Sequence, residues 1–372
     1  MKNHTAGFHP FRTVAVIGVG LIGGSLALAI KHKFPRTVVI GFDSSPVLRR
    51  ALRLRAIDRG ARSLQEAVRP ADLTILATPV SGVLSLLGRV ARLKKPGGQV
   101  TDVGSVKRAI MARAEKYFPD GSFIGGHPMA GVEQAGIDAA SPHLFESALY
   151  VLTPSSATPR AAVRRLGSFL AGLGARVVIL DAGTHDRVAS AVSHLPQLAA
   201  VALVQVAGNL HPESRRHLQL AAGGFRDLTR IASSKFEMWE DIFSFNAEEI
   251  TKTLDLYLGE LHRYRSELGR NSRRLRKAFR GAGRIRAGIP KNMKGFLHPL
   301  SEVYVFVRDK PGMLARLTGV LGKSKVNIRD LELVKVREGE GGTFRISFDS
   351  KEVSSRAARI LRQRGFDVTL RA

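Results

Sequence analysis

Short apolar runs alternate with longer amphipathic stretches through the first half of the chain. The longer stretches carry apolar residues at the spacing of an α-helix, beginning with Leu21–Lys31. Strands separated by helices are typical of a sheet covered by helices on both faces. The pattern therefore predicts a doubly wound α/β domain over residues 1–182. The predicted strands are 14–17, 37–42, 73–77, 99–103, 123–125, 149–152 and 176–180.

The pattern changes after residue 183, where helical spacing continues with little strand signal. We expect an all-helical domain over 183–280 that supplies a substrate wall and a dimer interface. Helical spacing is lost in 281–300, which is rich in Gly, Arg, Lys and Pro and is predicted to be a basic linker. The runs in 301–372 follow the order β-α-β-β-α-β, which predicts a small ferredoxin-like domain. The predicted helices of the middle domain are 186–208, 212–222 and 235–267.

A glycine-rich turn joins the first predicted strand to the first predicted helix. Gly18, Gly20 and Gly23 have the G-x-G-x-x-G spacing of a Rossmann-type dinucleotide site, in which phosphates lie at the helix N-terminus. Asp43 follows the second strand, 20 residues after Gly23, where a carboxylate holds a ribose hydroxyl. We therefore expect NAD, although the nearby pair Arg49–Arg50 leaves NADP open. The predicted NAD contacts are Gly18, Gly20, Leu21, Ile22, Gly23, Asp43, Thr78 and Pro79.

Composition narrows the class of protein. The chain has 372 residues and no cysteine, so it has no disulfide, thiolate nucleophile or Cys-based metal site, and we expect no metal. No segment offers about 18 unbroken apolar residues, so we expect no membrane association and a cytoplasmic protein. The net charge is +27, and residues 261–295 hold 12 Lys or Arg against the single acid Glu267. Without interleaved aromatics, this segment indicates a solvated basic helix end rather than a nucleic-acid partner.

Candidate catalytic residues follow the predicted strands. His127 lies in the segment GGHPMAG and has an ordinary pKa suited to a base that accepts a hydroxyl proton. Ser105 follows another strand and is placed to support the same hydroxyl. Lys107 is expected to bind an anion or to anchor the loop.

The helical domain supplies candidate substrate contacts. Arg230, in GGFRDLTR, is suited to a bidentate contact with a substrate carboxylate, although Arg226 and Asp227 leave open which arginine meets substrate. His194, in VSHLP, either faces the same cleft or is a structural residue of an apolar helix.

Seven motifs in order resemble the prephenate dehydrogenase family of tyrosine biosynthesis, which includes arogenate dehydrogenases. They are GVGLIGGSLA, ATPV, DVGSVK, GGHPMAG, VSHLP, GFRDLTRIA and Met238-Trp239. The segments DKPGMLARLTGVL and VNIRDLEL resemble an ACT regulatory domain. The resemblance implies oxidative decarboxylation of prephenate to 4-hydroxyphenylpyruvate by a homodimer with NAD.

The resemblance also implies residue roles. His127 accepts the hydrogen bond of the substrate's C4 hydroxyl, Ser105 supports it, and Arg230 binds a carboxylate. Glu133 corresponds to an acidic residue near the cleft, and His194 is expected beside the substrate.

One position departs from the family pattern. Where many members have a second histidine, this chain has Gln197, which can donate a hydrogen bond but carries no charge. Arogenate therefore stays open as the substrate, although prephenate is favoured. Another hydroxy acid, or a non-catalytic NAD- and amino-acid-sensing protein, are further alternatives.

The ACT resemblance suggests feedback by an aromatic amino acid, most simply tyrosine. We expect the effector near Asp309, Gly312 and Asn327. The alternative is an ACT domain that serves only for assembly.

Overall fold

The chain forms two compact units, which lie within Met1–Arg276 and Lys277–Ala372. A computed structural model describes residues 11–130, 134–210, 218–270, 272–288, 300–337 and 341–370. The first unit begins with alternating strands and helices and continues as a series of helices. The second contains a small sheet of its own.

The described strands of the first unit form one eight-stranded sheet with the order β3-β2-β1-β4-β5-β6-β7-β8. Strands β1 to β6 are parallel to one another, whereas β7 pairs antiparallel with β6. In chain order the strands are β1 (Thr13–Ile17), β2 (Val38–Phe42), β3 (Arg59–Gly60), β4 (Leu73–Leu76), β5 (Gln99–Asp102), β6 (Phe123–Pro128), β7 (Leu149–Pro154) and β8 (Arg176–Ile179). The helices between them are α1 (Leu21–Lys33), α2 (Ser45–Arg53), α3 (Leu64–Val68), α4 (Val80–Leu93), α5 (Arg108–Tyr117) and α6 (Arg160–Gly172).

The sheet has a buried core on each face. Val14 and Val16 belong to one apolar cluster, whereas Ala15 and Ile17 belong to another. Successive side chains of a strand point to opposite faces, so the two clusters lie on opposite sides of the sheet. Chain order reverses between β1 and β4, where a doubly wound sheet opens its ligand crevice.

A nearly continuous helical run follows the sheet. It comprises α7 (Ala182–Ala189), a π-helical turn (Ser190–His194) and α8 (Leu195–Asn209). Beyond it lie α9 (Gly223–Thr229), α10 (Glu240–Phe245) and α11 (Ala247–Glu267). Most of the predicted helix 212–222 lies outside the described residues.

The run Ala182–Asn209 is long and apolar enough to cross a membrane, with a mean hydropathy of 1.3 over its best window. The run is not an unbroken apolar stretch, because Asp186, Arg187 and His194 interrupt it, so it does not contradict the expectation drawn from the sequence. Length and composition are weak evidence of a membrane span, because a helix that packs against protein can meet the same criterion. Only 17% of that window is buried, so the run leaves an apolar face uncovered.

The second unit has the predicted β-α-β-β-α-β order. Its four-stranded antiparallel sheet has the order β10-β11-β9-β12. The strands are β9 (Ser301–Arg308), β10 (Asp330–Arg337), β11 (Gly341–Phe348) and β12 (Asp367–Leu370). Helices α13 (Met313–Lys323) and α14 (Lys351–Gln363) pack on the sheet through buried Leu317, Leu321 and Leu361.

Helix α12 (Arg273–Gly288) continues through residues 281–288, so the expected loss of helical structure there is wrong, whereas the linker role of 281–300 stays a prediction. Arginine is a good helix former, and the first proline of the segment stands at position 290, so Gly281 and Gly283 do not end the helix. Residues 289–299 lie outside the described part. The proposed domain boundaries at 182, 280 and 300 remain predictions.

Candidate active site

The glycine turn between β1 and α1 has the geometry that a dinucleotide requires. Gly18 has a φ of +90°, and a Cβ at Gly23 would lie 1.9 Å from the carbonyl oxygen of Gly18. A Cβ at Gly20, in contrast, would meet nothing within 4 Å. The first and third glycines are therefore needed for backbone packing, whereas the second faces open space that can admit a pyrophosphate. Leu21 and Ile22 form the first turn of α1 and are half-buried.

Asp43 closes the other side of this turn. Its Oδ2 accepts a hydrogen bond from the Val19 N–H at 2.7 Å, and its Oδ1 accepts one from Ser44 N–H at 2.6 Å. The carboxylate therefore lies beside the turn, as a ribose contact requires. Arg50, which left NADP open, forms an ion pair with Asp138.

Thr78 and Pro79 lie between β4 and α4, beside the first glycine. The Thr78 Cγ2 would be 3.1 Å from a Cβ on Gly18. Its hydroxyl is buried and has no hydrogen-bond partner among the described residues. Pro79 is the exposed N-cap of α4.

A fully buried ion pair joins the ends of β5 and β6. The Lys107 ammonium bonds to Asp102 Oδ2 and donates to the Gly126 carbonyl at 2.7 Å. Asp102 also accepts from Gly104 N–H at 2.8 Å and Gly126 N–H at 3.0 Å. We call Asp102 and Lys107 the strand-end pair. It anchors the turn that follows β5, so Lys107 acts here as the anchor that was one of its two expected roles.

His127 lies within β6, not in a loop after it, because the strand continues to Pro128. The two preceding glycines misled the sequence interpretation. A Cβ at Gly125 would be 2.2 Å from Thr153 Oγ1, and one at Gly126 would be 2.5 Å from the Asp102 carbonyl oxygen. These glycines therefore allow close packing of neighbouring strands rather than loop flexibility.

Three buried side chains form a continuous hydrogen-bonded row, which we call the histidine chain. His127 Nδ1 lies 2.7 Å from His185 Nε2, and His185 Nδ1 lies 2.7 Å from Asp186 Oδ1. Asp186 also accepts from the backbone N–H groups of Lys107 at 2.8 Å and Arg108 at 2.9 Å. The chain thus connects β6 with α7 and with the start of α5.

Electrostatics keep His127 neutral. Burial is the main cause that lowers the pKa of His127 well below 6.5, and repulsion between a charged His127 ring and the neighbouring His185, Lys107 and His194 sites lowers it further. Burial also lowers the pKa of Lys107, although the carboxylates of Asp102 and Asp186 oppose that change. At neutral pH His127 is therefore an uncharged base.

His194 lies in the π-helical turn and is also buried. Burial is the main cause that lowers its pKa to about 4. Asn246 Nδ2 donates to the Asp186 carbonyl oxygen at 3.0 Å and to His194 Nδ1 at 3.2 Å. The ring of Trp239 meets the His194 ring edge-on, with centroids 6.1 Å apart.

Gln197 lies one helical turn after His194 and is 3% exposed. Its Nε2 donates to the Ile231 carbonyl at 3.1 Å, whereas its buried Oε1 has no partner among the described residues. Ile231 follows Arg230, so this contact ties α8 to the segment that carries the candidate arginine. Arg230 itself is exposed at the end of α9.

The remaining predicted residues fall elsewhere. Ser105 is half-buried in the turn between β5 and α5, two residues before Lys107. Glu133 lies outside the described residues. Asp309, Gly312 and Asn327 are exposed in the second unit, and Gly312 has a φ of +83° as the N-cap of α13. Across the described ranges, no group of three or more His, Cys, Asp or Glu side chains is arranged to hold a metal ion.

Sequence reasoning missed His185, Asp186 and Asn246. The adjacent pair His185-Asp186 at the start of a predicted helix was the available signal. Its importance depends on a contact with a residue 58 positions away, which no local pattern reveals.

A dinucleotide turn and a neutral, buried histidine carried by the same sheet are typical of a dehydrogenase of Rossmann type. Family models match the chain in three places: "Prephenate dehydrogenase, nucleotide-binding domain" over 26–179, "Prephenate dehydrogenase, dimerization domain" over 181–280, and "ACT domain" over 301–366. The chain is 37% identical over 359 residues to prephenate dehydrogenase of Bacillus subtilis, with 95% of this chain and 96% of that protein covered.

Solved structures agree. Prephenate dehydrogenase from A. aeolicus, in complex with hydroxyphenyl propionate and NAD+, is 29% identical with a TM-score of 0.69, covering 75% of this chain and 98% of that one. Arogenate dehydrogenase from Synechocystis is 30% identical with a TM-score of 0.66, covering 74% and 99%. The chain belongs to the prephenate dehydrogenase family. It is an NAD-dependent oxidoreductase and carries an ACT domain.

Proposed function

We propose that this enzyme oxidises and decarboxylates prephenate to 4-hydroxyphenylpyruvate, with His127 as the base. The observation that carries the assignment of His127 is its burial at the end of β6, uncharged and bonded through one ring nitrogen to His185. When bound, NAD accepts the hydride from C4 as carbon dioxide leaves the ring. The fit of Gly18, Gly20, Gly23 and Asp43 to a dinucleotide supports this cofactor.

His127 takes the C4 hydroxyl proton at Nε2, the ring nitrogen that is not bonded to His185. As C4 loses hydride its oxygen becomes carbonyl-like, and its proton must have an acceptor. When the ring aromatises after loss of carbon dioxide, the same nitrogen returns the proton to the phenol oxygen. Ser105, beside the strand-end pair, supports the hydroxyl, and Arg230 binds a carboxylate of the dianion.

The test is direct. The purified protein is incubated with NAD and prephenate, and NADH is followed by absorbance, with NADP as the matched control. We expect turnover with NAD and little with NADP, because Asp43 repels a 2'-phosphate. Absence of NADH with both prephenate and arogenate would overturn the proposal.

Arogenate is a second candidate substrate, and Gln197 favours it. The Ile231 carbonyl accepts a hydrogen bond from Gln197, so the amide nitrogen of Gln197 must face Ile231. The amide oxygen therefore points away from Ile231. That buried oxygen accepts hydrogen bonds and cannot donate them. The ammonium group of arogenate would donate a hydrogen bond to this oxygen, whereas the ketone of prephenate would not.

Comparing kcat/KM for the two substrates, in the wild type and in Gln197→His, decides between them. We expect the variant to lose arogenate turnover relative to prephenate turnover.

We also propose a homodimer formed through the helical domain. Apolar side chains remain exposed along α8 and α11, among them Val206 at 65% and Leu256 at 73%. Uncovered apolar side chains of this size are typical of a protein–protein interface. A second copy of the chain would cover them, so no membrane is needed to bury them. This agrees with the cytoplasmic location that we predict. Light scattering after size exclusion tests the assembly: a mass near that of one chain would contradict it.

Tyrosine is the proposed effector of the ACT domain, at Asp309, Gly312 and Asn327. Support comes from the family match and from the exposed turn that precedes α13. Adding tyrosine should lower activity and raise the melting temperature by mass action. If both remain unchanged, the domain serves assembly alone.

A further inference from the structure

The buried carboxylate of Asp186 fixes where the protons of the histidine chain lie. Asp186 is 1% exposed, and burial raises its pKa, but the hydrogen bonds from His185 and from the Lys107 and Arg108 N–H groups lower it further than burial raises it. The carboxylate is therefore ionised and can only accept hydrogen bonds. His185 must carry a proton on Nδ1, the nitrogen that faces Asp186 at 2.7 Å.

The contact between His185 and His127 then fixes where the proton of His127 lies. The two ring nitrogens that join His185 to His127 are 2.7 Å apart, so one of them must donate. If His185 donated, it would carry protons on both nitrogens and be a cation. His185 is 2% exposed, and the fully buried ammonium of Lys107, which pairs with Asp102, already opposes positive charge at the neighbouring His127. A second cation in this dry space is costly, so His127 donates from Nδ1.

We propose that His185 and Asp186 are positioning residues that hold His127 in the tautomer with its proton on Nδ1. This inference rests on His127 being the base proposed above. Nε2 of His127 then presents a lone pair to the substrate hydroxyl. The opposite tautomer would present an N–H and could not accept the proton. The chain also holds the ring in one orientation and stabilises the charge that His127 gains, because His185 can share it with Asp186.

Three variants test the inference. His185→Phe keeps a flat ring but removes the acceptor for His127 Nδ1. His185→Gln places an amide oxygen near the position of the lost Nε2. His143→Gln is the matched control, because the His143 side chain is 59% exposed and its ring contacts Glu146 and His32, away from the histidine chain. Asp186 is left intact because it also binds the backbone at the start of α5.

We expect His185→Phe to lower kcat on the order of 100-fold while the KM for prephenate and the Kd for NAD change less than about threefold. His185→Gln should recover about tenfold of that loss, and His143→Gln should match the wild type. If His185 had only a structural role, His185→Phe would change KM, NAD affinity and kcat together, and His185→Gln would not restore kcat. Full activity of a folded His185→Phe would overturn the inference. If His127→Asn were fully active, the proposed base itself would be wrong.

A measurement on the wild type keeps the inference testable even if His185→Phe does not fold. In protein labelled with 15N-histidine, we expect His127 to show a protonated Nδ1 and an unprotonated Nε2 at pH 7. The resonance is assigned by its loss in His127→Asn. An unprotonated Nδ1 would overturn the inference.

Discussion

Two buried carboxylates lie in the hydrogen-bond networks around His127, the proposed base, and their side-chain partners differ. Asp102, on β5, bonds to the ammonium of Lys107 and to two backbone N–H groups. Asp186, on α7, bonds to the imidazole of His185 and likewise to two backbone N–H groups. Both are at most 1% exposed. The carboxylates are thus matched in burial and in backbone contacts, and the side-chain partner is what separates them.

That difference assigns them different tasks. A lysine ammonium holds its position and its charge, so the strand-end pair fixes β5 against β6 and with it the place of His127. An imidazole has two nitrogens and can pass a proton between them. The histidine chain therefore controls protonation, whereas the strand-end pair controls geometry. Substitutions in the histidine chain should therefore lower turnover, whereas substitutions in the strand-end pair should lower stability.

The largest expected effect comes from removing the base. His127→Asn should lower kcat by about 10²–10⁴-fold, since the hydroxyl proton then has no acceptor. NAD affinity should be unchanged, because the dinucleotide turn lies on other strands. Trp239 is the single tryptophan of the chain, so quenching of its fluorescence by NADH measures cofactor binding. Loss of NAD affinity equal to the loss of turnover would contradict the assigned role.

The sequence was sufficient for the dinucleotide turn and for His127, because both depend on short motifs next to strands. It was insufficient for the histidine chain, which forms only when α7 packs against β6. Nor could the sequence show that Gly125 and Gly126 allow neighbouring strands to pack closely, since a pair of glycines is equally typical of a loop. The neighbours that exclude a Cβ there, Thr153 and Asp102, are distant in sequence or on another strand.

Breaking the strand-end pair should cost stability first. Lys107→Met leaves the buried Asp102 without its cation, which typically costs about 3–5 kcal/mol in the free energy of unfolding. Urea unfolding followed by Trp239 fluorescence measures the loss. Asp102→Asn in the Lys107→Met background is the control, because removing the unpaired charge should restore part of the stability. If Lys107→Met is as stable as the wild type, the pair is not an anchor.

Arg230 lies at the end of α9, on a different segment from the two buried carboxylates, and its proposed role is to bind substrate. It is exposed, and Arg230→Ala removes a charge-assisted contact worth about 1.5–3 kcal/mol, so the KM for prephenate should rise by about 10–100-fold with a smaller change in kcat. The matched variant is Arg226→Ala, one helical turn earlier on the same segment. A larger KM effect at Arg226 would transfer the carboxylate contact to that residue.

The smallest effect distinguishes the two carboxylate sites by pH. The pKa of His194, next to the Asp186 network, is lowered from 6.5 to about 4. Between these values the unfolded chain binds a proton that the folded protein does not, so the free energy of unfolding falls as pH decreases and is retained above 6.5. From pH 7 to about 5.5 the expected loss is about 1 kcal/mol for this histidine.

His127, whose pKa is also lowered, should add a loss of the same sign. His194→Asn keeps an acceptor for Asn246 but cannot titrate, so its urea midpoint should depend less on pH than that of the wild type. His143→Gln, altered at an exposed histidine, should keep the wild-type dependence. A wild-type midpoint that is constant between these pH values would mean that the buried histidines bind protons as readily in the folded protein as in the unfolded chain. The separation between a proton-handling site at Asp186 and a fixed ion pair at Asp102 would then be lost.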